Sequence, residues 1–112
     1  MRIINESYDV ILKSDVIPLA IGGDHSITLP MLRSIAKTHG PVALVHVDAH
    51  ADENDEMFGE TETHGTVFRR AYEEGLIIPS KTFQIGLRGT GYTAQDFTEA
   101  TDWGFQQFLA CV

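Results

Sequence analysis

The sequence contains a single cysteine, Cys111, among its 112 residues, so no disulfide can form within the chain. This scarcity suits a reducing compartment, where disulfides are rare. No apolar run approaches the roughly 20 residues that a membrane-spanning helix needs. The first residues, Met1–Glu6, lack the basic patch and the long apolar core of a signal peptide. Together these absences predict a cytoplasmic location.

Basic residues are also few. The sequence has 8 lysines and arginines against 16 aspartates and glutamates, and its formal net charge is -8. Such a balance repels phosphate backbones and anionic lipid headgroups, so nucleic acids and membranes are poor candidate partners. A small cationic substrate is compatible with it, and so is a solvated acidic surface that binds nothing.

Apolar periodicity predicts helices that alternate with strands. The helical spacing is weak over Glu6–Ser14 and clear over Ser26–His39, where the apolar residues share one helical face. A further helix is predicted at about Thr66–Glu74, and an amphipathic segment at Ala94–Asp102. No internal repeat or linker divides the chain, and we expect residues 1–112 to belong to one domain.

Four short apolar segments are predicted to be strands: Val16–Ile21, Val42–Val47, Thr82–Leu87 and Phe105–Leu109. The segment Val42–Val47 is apolar except at His46, which is typical of a strand covered on both faces of a parallel sheet. Strands that alternate with helices predict an α/β fold, with a parallel sheet and helices on its faces.

Two polar clusters directly follow the first two predicted strands. Gly22–His25 comes after Val16–Ile21, and Asp48–Asp52 comes after Val42–Val47. Parallel α/β sheets bind ligands beyond the carboxyl ends of their strands. We therefore expect the two clusters to meet at one rim of the sheet and to form a binding site.

The residue types of these clusters predict a metal site. Asp48, His50 and Asp52 are two residues apart, so their side chains would point to one side if the strand continued through them. His25 adds a second imidazole from the neighbouring strand end. Carboxylates with imidazoles suit a divalent ion, and manganese is more natural than zinc in an oxygen-rich shell.

For several polar residues, a structural role without metal binding remains open. A single histidine or aspartate at a strand end is often only a cap or a surface group. Asp24 is interpreted as a helix N-cap, although it could also support His25. His39 at a helix C-terminus is interpreted as structural, and His46 as a packed histidine or one that supports a ligand.

Four stretches of the sequence resemble the ureohydrolase family of arginases and agmatinases, with agmatinase- and guanidinobutyrase-like members the most similar. Gly22–Ser26 is similar to the first signature of that family, and Asp48–Asp52 to its second. His64–Thr66 resembles the His-Gly pair that follows, and Gln84–Arg88 the next strand. The resemblance covers about Pro18–Tyr92 and implies part of a three-layer α/β/α fold with a mainly parallel sheet.

The resemblance also implies a role for each matching residue. His25 would bind one of two Mn²⁺ ions, His50 would bind the other, and Asp48 would bridge them. Asp52 would complete the shell of the ion held by His25. A hydroxide between the ions would then hydrolyse a guanidino compound, of the agmatine or 4-guanidinobutyrate type, to urea and an amine.

Two further residues gain roles from the same resemblance. His64 would be the catalytic histidine that shuttles a proton or orients the substrate. Asn54 matches an asparagine that contacts the distal carboxylate of the substrate in arginase-like members, which favours a guanidino acid. Family members also assemble as trimers or hexamers, so a homo-oligomer is expected for the complete enzyme.

The sequence departs from the family pattern in one respect. The third signature, Ser-x-Asp-x-Asp-x-x-Asp-Pro, which supplies two more aspartate ligands, is missing from these 112 residues. The chain is therefore interpreted as a fragment that is incomplete as an enzyme. Two alternatives stay open, namely a non-catalytic metal-binding or partner subunit derived from a ureohydrolase, and a metal-dependent deacetylase.

Overall fold

A computed structural model describes residues 1–89 and 98–110 of the chain. They form four α-helices, one 3₁₀ turn and three strands, in the order α1 Arg2–Ile11, the 3₁₀ turn His25–Ile27, α2 Thr28–His39, β1 Val42–Val47, α3 Val67–Glu73, β2 Ile77–Leu87, α4 Glu99–Trp103 and β3 Gln106–Leu109. The strands lie in the order β1-β2-β3, and both pairs are parallel. The predicted parallel α/β sheet is confirmed.

Local chemistry explains the ends of α2. Asp24 caps the preceding 3₁₀ turn, because its side chain accepts a hydrogen bond of 2.8 Å from the backbone N–H of Ser26. This confirms the cap predicted for Asp24. The helix ends at Gly40, whose φ of 78° is a conformation that favours glycine. Lys37 and His39 occupy the last turn, where the helix dipole favours positive charge.

One face of the sheet carries the core. Leu29 of α2, Phe68 and Ala71 of α3, and Ala100 of α4 are buried together with Phe105, which precedes β3. From β1, the partly buried Val42 and Leu44 pack against this cluster. Helices α2, α3 and α4 therefore share one core on one side of the sheet.

The opposite face of the sheet is open. Val45 and Val47 of β1 are 67% and 74% exposed, and their register neighbours on β2 are Phe83 and Ile85. The expectation that β1 is covered on both faces is therefore wrong for the described chain. The helices of the shared core lie on the other side, against Leu44 and its neighbours.

Two predicted strands differ from the structure. Val16–Ile21 is irregular rather than a buried strand, and Ile17 is 97% exposed. A strand needs hydrogen-bonded neighbours, and in the described sheet β1 is an edge strand that pairs with β2 and with no other segment. Val16–Ile21 therefore has no neighbouring strand there. Strand β2 begins at Ile77, earlier than predicted, and its register against β1 shifts across the segment that contains Pro79, which has no backbone N–H.

Helix α1, Arg2–Ile11, begins and ends earlier than the predicted Glu6–Ser14, whereas the remaining elements agree with the sequence prediction. Strand β1 has the predicted bounds, α3 lies within the predicted Thr66–Glu74, and β3 lies within Phe105–Leu109. Helix α4 covers the end of the predicted segment Ala94–Asp102, and residues 94–97 lie outside the described residues. Within the described part of the chain, no helix is both long and apolar enough to cross a membrane.

Candidate metal centre

The loop after β1 is held against β2 by backbone hydrogen bonds. The N–H of Asp48 donates to the carbonyl of Ile85 at 3.1 Å. The N–H groups of Arg88 and Gly89 both donate to the carbonyl of Ala49, at 2.9 and 2.7 Å. The loop that carries the second polar cluster is therefore fixed at the carboxyl rim of the sheet.

Asp52 reaches the rim through a turn. Strand β1 ends at Val47, and Asp52 has a φ of 53°, in the left-handed region that few non-glycine residues adopt. Its carbonyl accepts a hydrogen bond of 2.9 Å from the N–H of Phe68 at the start of α3. The premise that strand alternation continues through residues 48, 50 and 52 is wrong, because the chain bends directly after β1.

Buried polar side chains of β2 and β3 form a hydrogen-bond network with this turn. Gln84 of β2 donates through Nε2 to the carbonyl of Ala51 at 2.7 Å, and its own Oε1 accepts from Gln107 Nε2 at 2.8 Å. Gln107 Nε2 also lies 3.4 Å from each carboxylate oxygen of Glu53. Gln84 and Glu53 are buried, so β2 and β3 together fix the position of the loop.

Four potential ligands converge at the rim. His25, His46, Asp48 and Asp52 each offer one ligand atom, and these atoms all lie within 4.8 Å of one another. His25 Nδ1 is 2.5 Å from Asp52 Oδ2. The expected meeting of the two polar clusters is confirmed, and His25, Asp48 and Asp52 are among the predicted ligands. Their metal-binding role stays a prediction.

His50 lies beside this group and outside it. Its side chain is 63% exposed, and its Nδ1 is 3.6 Å from Asp48 Oδ1. Its backbone N–H donates to the same Oδ1 at 2.9 Å. A Cβ at position 89 would lie 2.3 Å from the His50 ring, so a larger residue there would displace that ring. The Asp48 carboxylate thus has the His46 imidazole near Oδ2 and the His50 imidazole near Oδ1.

His46 was assigned only a packed or supporting role from the sequence. The structure places it in the four-residue group, 6% exposed, with its ring 4.4 Å from the ring of Phe68 and 5.3 Å from that of His25. The sequence contained a signal for this, because His46 and Asp48 are two residues apart on β1 and its extension.

The charges of the group favour cation binding. The hydrogen bond to Asp52 raises the pKa of His25, and burial lowers the pKa of His46, helped by the nearby charge of His25. Burial alone would raise the pKa of Asp48, but the N–H of His50 and the His46 imidazole outweigh it and hold that pKa below its usual value. The carboxylates of Asp48 and Asp52, and an imidazole nitrogen that carries no proton, can donate electron pairs to a metal.

The predicted catalytic and substrate residues lie on the following loop. His64 is exposed, and its ring centroid is 6.4 Å from that of Phe58. Asn54 donates to the carbonyl of Gly65 at 3.0 Å, both through its backbone N–H and through Nδ2. Asn54 therefore holds the turn that carries His64. The catalytic role of His64 and the substrate role of Asn54 stay predictions.

Comparisons with known proteins identify the family. The arginase family model matches residues 1–110. The guanidinobutyrase of Pseudomonas aeruginosa is 58% identical over 106 residues, which cover 95% of this chain and 33% of that protein. The mitochondrial agmatinase of Gallus gallus is 50% identical over 105 residues, covering 94% of this chain and 31% of that protein.

Solved structures agree with the sequence matches. Proclavaminate amidino hydrolase from Streptomyces clavuligerus has a TM-score of 0.87 at 39% identity, covering 98% of this chain and 38% of that one. Arginase from Medicago truncatula has a TM-score of 0.84 at 30% identity, covering 95% and 33%. The chain spans about a third of the length of these relatives. It has the arginase fold in part, and it belongs to the arginase family.

Proposed function

We propose that this chain forms part of a manganese-dependent ureohydrolase, which hydrolyses a guanidino compound to urea and an amine. The observation that carries the proposal is the position of Asp48. Its carboxylate belongs to the group with His25 and Asp52, and its Oδ1 faces His50 at 3.6 Å. A carboxylate between two imidazoles is what two neighbouring metal ions would share.

The residues present fit a pair of divalent ions. Two carboxylates and the imidazoles around them supply the oxygen and nitrogen ligands that Mn²⁺ accepts. His25 and Asp52 would hold one ion, His50 would hold the other, and Asp48 would contact both. When bound, the two ions would supply Lewis acidity and lower the pKa of a water toward neutrality.

The protein residues have separate tasks in this reaction. The rim loop keeps Asp48 and Asp52 in position, because its carbonyls accept hydrogen bonds from Gln84 of β2, from residues 88 and 89 after β2, and from α3. His64 would protonate the departing amine, since histidine exchanges protons readily near neutral pH. Its exposed place on a loop anchored by Asn54 leaves it accessible to a substrate.

For the substrate we propose a guanidino acid, such as 4-guanidinobutyrate, ahead of agmatine. Support comes from relatives named guanidinobutyrase at 58% identity and guanidinopropionase at 44% identity. Asn54 supports the same choice through its match to a carboxylate-binding asparagine. We further propose that residues 1–112 are part of one domain, and that the complete enzyme is a cytoplasmic homo-oligomer.

The test is urea release by the complete encoded protein that contains these residues, loaded with Mn²⁺ and given 4-guanidinobutyrate or agmatine. Asp48→Asn should reduce turnover by at least about 1,000-fold, because it removes the shared carboxylate. Asp55→Asn is the matched control, since Asp55 is an exposed carboxylate of the same loop paired with Arg70. Equal turnover by the two variants would contradict the proposal.

One result would favour the alternative of a non-catalytic subunit. If the wild-type protein binds Mn²⁺ tightly but releases no urea from either substrate, the metal centre serves binding or assembly instead. Co-purification with an active ureohydrolase subunit would then identify the partner role.

A further inference from the structure

Arg33 of α2 joins three separate parts of the chain. Its Nε donates to Glu74 Oε2 at 2.8 Å, and its Nη2 donates to Glu74 Oε1 at 2.6 Å. The same Nη2 donates to Glu62 Oε1, also at 2.6 Å. Glu74 directly follows α3, and Glu62 lies on the loop that leads to His64, two residues further on. The guanidinium therefore connects α2 with the end of α3 and with the loop of the predicted catalytic histidine.

The geometry distinguishes this contact from an ordinary surface ion pair. An isolated exposed pair contributes little, because the cost of ordering two long side chains offsets the attraction. Here two parallel hydrogen bonds to Glu74 already fix the plane of the guanidinium. The side chain of Arg33 is 27% exposed, so water screens it only in part. Holding Glu62 then costs little further side-chain entropy, and Arg33 is a rigid anchor for the loop.

Other hydrogen bonds hold this loop from within and from the start of α3. The hydroxyl of Thr66, the residue before α3, donates to the carbonyl of Thr61 at 2.8 Å. Asn54 donates to the carbonyl of Gly65, the residue after the catalytic histidine. Arg33 instead ties the loop to α2, which directly follows the 3₁₀ turn that carries one of the predicted metal ligands. The Arg33 contact therefore affects the distance between that ligand and the catalytic histidine.

We propose that Arg33 is a positioning residue for His64. Glu74 orients its guanidinium, which holds Glu62. This contact sets the place of His64 relative to His25. The inference rests on the proposed function, in which His64 protonates the departing amine. Proton transfer needs heavy atoms about 2.6–3.2 Å apart, and a displacement of about 1 Å can cost about 100-fold in rate. Releasing the loop from α2 should therefore slow the chemical step more than it weakens substrate binding.

The first test is amide hydrogen exchange over residues 60–66, measured by mass spectrometry on the complete Mn²⁺-loaded protein that contains them. Arg33→Met keeps an unbranched side chain but removes the guanidinium, and it should speed this exchange at least about threefold. Arg2→Met is the matched control, because Arg2 pairs with Glu6 within α1. It should leave the exchange of residues 60–66 unchanged. Equal exchange in Arg33→Met and the wild-type protein would overturn the inference.

Steady-state kinetics with 4-guanidinobutyrate or agmatine provide the second test. Arg33→Met should lower kcat about fivefold and change KM less than about twofold, which is the pattern of an interaction made in the transition state. Glu62→Gln should do the same, and it tests the contact from the loop side if Arg33→Met fails to fold. The double variant should lose no more than either single variant, because both remove one contact. Losses that multiply, or a change confined to KM, would contradict positioning through Glu62.

The two tests separate this inference from the proposed function, because hydrogen exchange requires no turnover. Faster exchange in Arg33→Met of a protein that releases no urea would support the anchoring of the loop by Arg33 and contradict the proposed activity. Urea release with the same kcat in Arg33→Met and the wild-type protein would overturn the inference and leave the proposed function intact.

Discussion

The two faces of the sheet reverse the usual relation between polarity and burial. On the covered face, His46, Thr82 and Gln84 are buried, although all three are polar. On the open face, Val45 and Val47 are mostly exposed, although both are apolar. On the covered face, Thr82 and Gln84 have hydrogen-bond partners, and His46 belongs to the four-residue group of the candidate metal centre. The open face has nothing over it in the described chain.

The largest expected effect comes from removing the aromatic ring on the covered face. Phe68 is 1% exposed and contacts both His25 and His46. Phe68→Ala should lower the free energy of unfolding by about 3–5 kcal/mol, because it leaves a cavity in the core. Phe108→Ala, on the open face, should cost at most about 1 kcal/mol. Urea denaturation of both variants measures the difference, and equal losses would contradict the distinction between the faces.

The second effect concerns the buried glutamine beneath the metal loop. Gln84→Met keeps the volume but leaves the carbonyl of Ala51 without the Gln84 donor and removes the 2.8 Å hydrogen bond from Gln107 Nε2. It should cost about 1–3 kcal/mol of stability and lower metal affinity by about 10–100-fold. The control is Gln106→Met on the exposed side of β3, where the side chain donates to the carbonyl of Ser80. An unchanged metal affinity in Gln84→Met would exclude a positioning role.

A third test sharpens the comparison from the open side. Replacing both Val45 and Val47 with threonine retains β-branched side chains while making the open face more polar. Because both residues are already exposed, stability should change by less than about 0.5 kcal/mol for each substitution. Fluorescence of a dye that binds exposed apolar surface should fall. A loss of several kcal/mol would mean that this face is covered in solution.

A small, pH-dependent effect is expected on the surface of the covering helices. Arg33 of α2 donates to Glu62 at 2.6 Å and to both carboxylate oxygens of Glu74. The hydrogen bond from Arg33 lowers the pKa of Glu62 below its usual value of 4.5. The stabilisation by this pair is therefore present above about pH 4.5 and disappears as the pH falls through the lower folded pKa.

Glu62→Gln should remove that contribution. Since the side chains of the pair are partly exposed, the loss should be at most about 1 kcal/mol at neutral pH. Below the folded pKa of Glu62, the variant and the wild-type chain should have equal stability. Thermal unfolding at several pH values measures this, and a difference that grows toward low pH would contradict the assigned sign.

The sequence predicted the fold correctly for elements whose apolar residues repeat within the element itself. Strand β1 and helix α2 have clear apolar periods, so their positions follow from residues within the element itself. The irregular Val16–Ile21 was predicted wrongly, because its apolar residues indicate a strand while pairing depends on a neighbour distant in sequence. Propensity alone does not supply that neighbour.

The residues of the candidate site were likewise predicted only in part. His25, Asp48 and Asp52 were identified from residue types that follow two strands, and the parallel topology brings them together. The left-handed turn at Asp52 and the exposed side chain of His50 were not predicted, because they result from hydrogen bonds to α3 and β2. Gln84 and Gln107 were missed for the same reason, since their partners lie on other elements.

The most direct test of the metal centre is a Mn²⁺ titration of the 112-residue chain, in which electron paramagnetic resonance reports the free ion. We expect the chain to reduce the signal of free Mn²⁺, and Asp48→Asn or His25→Ala to weaken that effect by at least tenfold. Asp55→Asn should bind as the wild-type chain does, because Asp55 lies outside the four-residue group. Wild-type binding that is unaffected by Asp48→Asn and His25→Ala would contradict the assignment of this site.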